Sequence, residues 1–256
     1  MHFDVESIKF SLRELDAPYL DAVERGDMET AQRMVLEAAK LAMPNTKVVD
    51  EDGNPRVVYH QTNASVYINR ETGQNWDELD WRERMEWDER DDWDDYWEER
   101  EFNTFSRVNA RTTNEFDGFF FAPNYDEYHE YGDRTIAAFV NITNPASNAD
   151  YNIDSSKNNA GREERMRLQR EGYDGVIREY DGEIDEYIAF EPNQIKSAVP
   201  VTYDDNGNVI PLSERFNPKK EDIRYSVRND DMPFFDDGDD VVIFDDLEDA
   251  PAEYTY

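Results

Sequence analysis

The chain has 256 residues, no cysteine, three histidines and a formal charge of −34, with 61 acidic against 27 basic side chains. The missing thiols exclude disulfides and thiolate metal centres, and so few histidines argue against a zinc site. The charge repels nucleic-acid backbone, whose binding is driven by Lys and Arg displacing phosphate counterions, so direct DNA or RNA binding is not expected. Residues 1–12 hold no apolar stretch of signal-peptide length and no run elsewhere approaches a membrane span, which leads to the expectation of a soluble, cytoplasmic protein. Its length suits one catalytic domain plus appendages.

Along the chain, Asp16 is expected to cap a first helix with Pro18 in its opening turn, Gly26 to end it and Asp27 to cap a second. Ala31, Met34, Val35, Ala38 and Leu41 recur at helical spacing, and Pro44 closes the pair. Residues 1–45 thus read as a helical hairpin whose apolar stripe docks on a main domain at 46–228. Asp52-Gly53-Asn54-Pro55 is a turn signal, followed by a strand-like run from Arg56 to His60. Further strands are expected at 118–122, 135–142, 173–180 and 184–190, a short helix at 124–131 and a charged helix at 162–170. Asp181-Gly182 between the last two strands predicts a hairpin. Short strands outnumber helices, which indicates a mixed α+β domain.

Residues 73–101 break this pattern, being crowded with Asp and Glu and holding all five tryptophans, Trp76, Trp81, Trp87, Trp93 and Trp97. The spacing of Trp93 and Trp97 predicts an acidic helix with an aromatic face. That face either packs back on the domain as an inserted helix or serves a partner-binding or inhibitory role. The tail at 229–256 contains Arg or Lys nowhere, is rich in acids and reads as disordered. Within it, Asp236 to Asp240 superficially resembles a calcium loop, but Pro233 and Phe235 fall where oxygen ligands are needed. Ile8-Lys9-Phe10-Ser11 and Ile223-Arg224-Tyr225-Ser226 repeat one tetrapeptide type and bracket the domain like module junctions.

Three segments carry a resemblance. Val57-Val58-Tyr59-His60-Gln61-Thr62, then Gly118-Phe119-Phe120-Phe121-Ala122 with Tyr131 beyond it, then Asp185-Glu186-Tyr187-Ile188-Ala189-Phe190 resemble, in order and spacing, the diphtheria-toxin and poly(ADP-ribose)-polymerase branch of ADP-ribosyltransferases. Gly175-Val176-Ile177, Pro192-Asn193-Gln194-Ile195-Lys196-Ser197-Ala198 and Asp222-Ile223-Arg224-Tyr225-Ser226 are similar to ADP-ribosyltransferase modules of phage and mobile-element polyvalent proteins. Phe102 to Phe105 resembles that group's segment soon after its histidine, which marks 73–101 as inserted.

The resemblance implies an α+β fold of two small packed antiparallel-rich sheets with flanking helices, and NAD as substrate with no metal. It implies that Glu186 and His60 are the catalytic pair, Glu186 binding the nicotinamide-ribose hydroxyl and His60 holding a ribose on the adenosine side. Phe120 and Tyr131 would wall the nicotinamide slot, with Gln61, Thr62 and Tyr128 as further NAD contacts. Such chemistry suits these residue types: positive charge develops on the ribose, so a carboxylate beside it stabilises the transition state, and the cationic leaving group needs no general acid. Two departures from the branch are present. Phe120 stands where tyrosine is usual, and Gln61 stands where glycine grips the nicotinamide amide. The expected activity is transfer of a single ADP-ribose to a host macromolecule, with an NAD glycohydrolase and a catalytically inactive acidic binding module as alternatives.

Overall fold

The computed structural model describes residues 5–223 apart from 63–64, 75, 77–78, 80, 89, 91, 102–115, 126–133, 155–156, 158, 205, 218 and 220–222. Tyr128, Tyr131, the segments read at 102–105 and 229–256, and most of the helix expected at 124–131 lie outside the described residues.

The chain opens with two helices, α1 (Val5–Glu24) and α2 (Met28–Ala42), packed against each other. Gly26, at φ +72°, turns the chain between them, and the Asp27 carboxylate accepts the Thr30 amide at 3.1 Å as the N-cap of α2. One expectation is corrected here. α1 begins eleven residues before Asp16 and runs through Pro18. A proline inside a helix costs roughly 3 kcal/mol, which burial of Leu12, Tyr19 and Ala22 on one face offsets. Asp16 instead accepts the Ser213 amide at 2.9 Å and its hydroxyl at 2.7 Å, tying α1 to the short helix α6 (Leu212–Arg215).

The strands are β1 (Val58–Thr62), β2 (Ser65–Asn69), β3 (Trp97–Glu101), β4 (Phe119–Phe121), β5 (Arg134–Val140), β6 (Pro145–Ala146), β7 (Gly175–Tyr180), β8 (Glu183–Ala189) and β9 (Ile195–Ser197). They form a sheet of order β1-β5-β9, a second of order β4-β8-β7-β6 and a separate β2-β3 ribbon. All pairings are antiparallel except β6 with β7. The hairpin expected at Asp181-Gly182 is present, with both residues at positive φ (54° and 87°) and Tyr180 paired with Glu183. Two left-handed residues in a row match the right-handed twist of the flanking strands.

The apolar residues sort by sheet face, as period-two alternation requires. Val58, Ile136, Ala138, Phe119, Phe121, Tyr187 and Ala189 meet in one cluster that spans both sheets. On the other face of β4 and β8, Ile188 and Phe190 pack with Val176 and Leu168 of helix α5 (Ala160–Arg170). The helical hairpin covers the outer face of the first sheet through Tyr19, Met34, Val35, Phe139, Ala198 and Phe216. A single side chain, Gln194, stitches the two sheets together. Its Oε1 accepts the Phe190 and Glu191 amides at 3.0 and 2.7 Å, and its Nε2 donates to the Asn141 and Asp174 carbonyls at 2.9 and 2.8 Å.

The tryptophan-rich segment is not the continuous helix expected. Helix α3 (Trp81–Asp88) is followed by a single turn, α4 (Trp93–Tyr96), and Trp97 turns extended (φ −110°, ψ 134°) to begin β3. The Trp93 and Trp97 rings still stack, 6.3 Å apart, and Trp76 and Trp87 pack edge-on against Trp97. Pairing of β3 with β2 overrides the helical spacing, because strand hydrogen bonds and a mutually packed set of rings outweigh the local preference of an acidic sequence.

Candidate active site

The two sheets meet where β1 passes β4. One antiparallel bridge joins them, with the Tyr59 amide donating to Ala122 at 3.0 Å and the Ala122 amide to Tyr59 at 2.7 Å. Next along β1, the His60 ring takes over from main-chain pairing, its Nδ1 2.7 Å from the Phe120 carbonyl oxygen. A carbonyl only accepts, so Nδ1 carries the hydrogen. Burial pushes the ring's pKa down to about 4, against the opposing pull of the Phe120 bond. The imidazole is therefore neutral near pH 7, and its Nε2 is a hydrogen-bond acceptor, the state needed to receive a hydroxyl.

Glu186 lies in β8 opposite Arg178 of β7, and Arg178 Nη1 donates to Glu186 Oε2 at 2.6 Å. The Arg178 Nε donates to the Tyr151 hydroxyl at 3.0 Å. Strand alternation carries His60, with its partner Ile136 and the Phe121 ring 5.5 Å away, to one face of the seam. It carries Glu186, together with Ile188 and Phe120, to the other face. The imidazole and the carboxylate thus stand on opposite faces of the strands at this junction.

Phe120 pairs with Ile188 and is half-buried at the rim of the cluster under α5. Gln61 and Thr62 continue β1 beside Thr135 and Arg134 and are half-buried. Gly118 precedes β4 at a place that takes no larger residue, since a Cβ there would stand 2.3 Å from Ile188 Cγ2. Just before Gly118, Asp117 and Arg165 of α5 form a buried ion pair at 3.0 Å. These contacts fix how β4 presents Phe120.

Four residues near the seam were not singled out from the sequence. Arg56 donates to the Pro123 carbonyl at 3.2 Å and to Asn124 Oδ1 at 3.1 Å, holding the turn that leaves β4. Tyr125 meets Tyr59 edge-on with ring centres 5.6 Å apart. The other two, Arg178 and Tyr151, reach Glu186 only through strand register and a loop, and neither signal is visible without the pairing of β7 and β8. Among the described residues, no group of three or more His, Asp or Glu side chains is arranged to hold a metal ion, and no helix is long and apolar enough to cross a membrane.

Residues 98–204 match the model of a family described as ADP-ribosyltransferase in polyvalent proteins. The match takes in β4 to β9 with α5 and Glu186, begins inside the segment expected to be inserted, and leaves His60 and β1 on its N-terminal side. The family's general chemistry is ADP-ribosyl transfer. No curated protein and no solved structure matches the chain.

Proposed function

We propose that the module at 98–204, completed by β1 from outside it, is an NAD-dependent mono-ADP-ribosyltransferase with Glu186 and His60 as its working pair. The observation that carries the reading is the seam between β1 and the segment that matches an ADP-ribosyltransferase family. There a neutral imidazole bonded to Phe120 stands on one side and a strand-borne carboxylate on the other.

In this reading NAD lies along the gap beyond the Tyr59–Ala122 bridge and touches both faces. His60 Nε2 accepts a ribose hydroxyl on the adenosine side, while Phe120 gives the nicotinamide ring an apolar wall. Tyr131 is the opposing wall, with Tyr128, Gln61 and Thr62 as flanking contacts. Glu186 accepts the 2′-hydroxyl of the nicotinamide ribose and faces the positive charge that develops as the glycosidic bond lengthens. Loss of the phenolic hydroxyl at Phe120 keeps the stacking surface and removes one polar contact. The acceptor is a host macromolecule, most simply a protein, and the setting is the cytoplasm of a cell occupied by a phage or mobile element.

Incubation with labelled NAD and host lysate tests the reading. The wild type is expected to release nicotinamide and label an acceptor, and Glu186→Gln to lose both by roughly 100-fold or more, the scale of a removed electrostatic stabiliser. Nicotinamide release without label would assign an NAD glycohydrolase. Failure to bind NAD would leave an acidic binding module.

A further inference from the structure

We infer that Arg178 is a positioning residue for Glu186, itself held by Tyr151, a role that rests on the reading of Glu186 as the catalytic carboxylate. Two independent features of β7 and β8 aim that side chain. The first is a bulge. Arg178 pairs with Glu186 and the next residue, Glu179, pairs with Ile184, so Asp185 is the extra residue on β8, directly beside Glu186. Bulges turn a neighbouring side chain out of the regular pleat and recur beside active sites for that reason.

The second feature is the brace. The guanidinium spends one edge on Glu186 Oε2 at 2.6 Å and its Nε on the Tyr151 hydroxyl at 3.0 Å. The pair is partly withdrawn from water, with 14% of the glutamate and 30% of the arginine side chain exposed. A charge-assisted bond in such a place is stronger than one on the open surface. A rigid fork tied to Tyr151 through Nε sets the direction of its one bond to the carboxylate in a way that a flexible ammonium does not reproduce. A carboxylate offers about four lone-pair sites, of which the Arg178 N–H takes one. Of the charged and titratable groups at this place, Arg178 bonds Glu186 directly, Tyr151 bonds Arg178, and Asp185 adjoins Glu186 on its own strand.

The test uses the full chain with Arg178→Gln, Arg178→Lys, Tyr151→Phe, Glu186→Gln and the Arg178→Gln/Glu186→Gln double variant, with nicotinamide release from NAD as readout. Arg178→Gln is expected to lower kcat roughly 10- to 100-fold, the scale of a mis-set reacting group, with KM for NAD changed less than about threefold. Arg178→Lys should recover part of that loss, and Tyr151→Phe should cost about three- to tenfold. In the Glu186→Gln background, removing Arg178 should cost nothing further, because a brace acts only through what it holds.

A second readout is independent of turnover. The Glu186 carboxyl, followed by carbon NMR, should titrate at higher pH in Arg178→Gln than in the wild type, because the neighbouring guanidinium favours the carboxylate form. If the wild type cleaves no NAD while this midpoint moves, the proposed activity fails and the brace stands. An unmoved midpoint, a kcat within threefold of wild type in Arg178→Gln, or full additivity with Glu186→Gln overturns the inference.

Discussion

The imidazole of His60 donates from Nδ1 to the carbonyl oxygen of Phe120 at 2.7 Å, at the point where main-chain pairing between β1 and β4 stops. A side chain therefore continues the sheet where the backbone leaves a gap, and burial rather than this bond keeps the ring uncharged near pH 7. The folded-state pKa near 4 lies below the ordinary 6.5, so between those values the unfolded chain binds a proton that the folded chain refuses. The stability linked to this ring is complete above pH 6.5 and is lost as the pH falls toward 4, up to about 3 kcal/mol in all. Urea unfolding of wild type and His60→Asn at pH 7 and pH 5 checks it. The gap between the two proteins should narrow by about 2 kcal/mol at the lower pH, and an unchanged gap would count against a neutral buried ring.

Gln194 satisfies four backbone groups drawn from the ends of β5 and β8 and the start of β7. Gln194→Ala strands them together, and a loss of about 2–4 kcal/mol is expected in chemical unfolding. A loss under about 0.5 kcal/mol would show that water replaces the side chain without penalty.

Gly118 should refuse even alanine. The added Cβ meets Ile188 Cγ2 at 2.3 Å and the Ala189 carbonyl at 3.2 Å, in the strand that carries Glu186. Overpacking of this kind costs typically 1–3 kcal/mol. Thermal melts of Gly118→Ala should shift down accordingly, and a wild-type melting temperature would mean that β8 yields freely.

The Asp117–Arg165 pair is expected to behave as a buried couple rather than a surface bridge, since its side chains are only 9% and 8% exposed. Arg165→Leu alone leaves a buried carboxylate and should cost about 3–5 kcal/mol, whereas Asp117→Leu/Arg165→Leu should cost less than the sum of the single changes. Strict additivity in the double-mutant cycle would refute the coupling.

Much of the scaffold was legible locally. The strand cores at 58–60, 119–121, 175–180 and 184–189 follow from runs of β-branched and aromatic residues. The hairpin between β7 and β8 follows from Asp181-Gly182, because only residues that tolerate positive φ allow that turn. The cap at Asp27 and the apolar spacing of Ala31, Met34, Val35 and Ala38 located α2, since both signals act within one or two helical turns. The candidate site was legible as motifs, His60 and Glu186 each within a strand, without the distances that relate them.

What remained hidden depends on neighbours distant in the chain. Asp16 looks like an N-cap, yet its partner is Ser213, nearly two hundred residues away. Trp97 lies one helical turn from Trp93, yet hydrogen bonds to β2 draw it into a strand. The sequence alone determined the strands that carry His60, Phe120 and Glu186 and the tight turn at Asp181-Gly182, since propensity and turn geometry are properties of short stretches. Only the tertiary structure decided that Tyr59 of β1 bridges Ala122 beside β4, that His60 and Glu186 fall on opposite strand faces and that Arg178 grips the carboxylate. Strand order and register are set by burying faces that belong to separate parts of the chain.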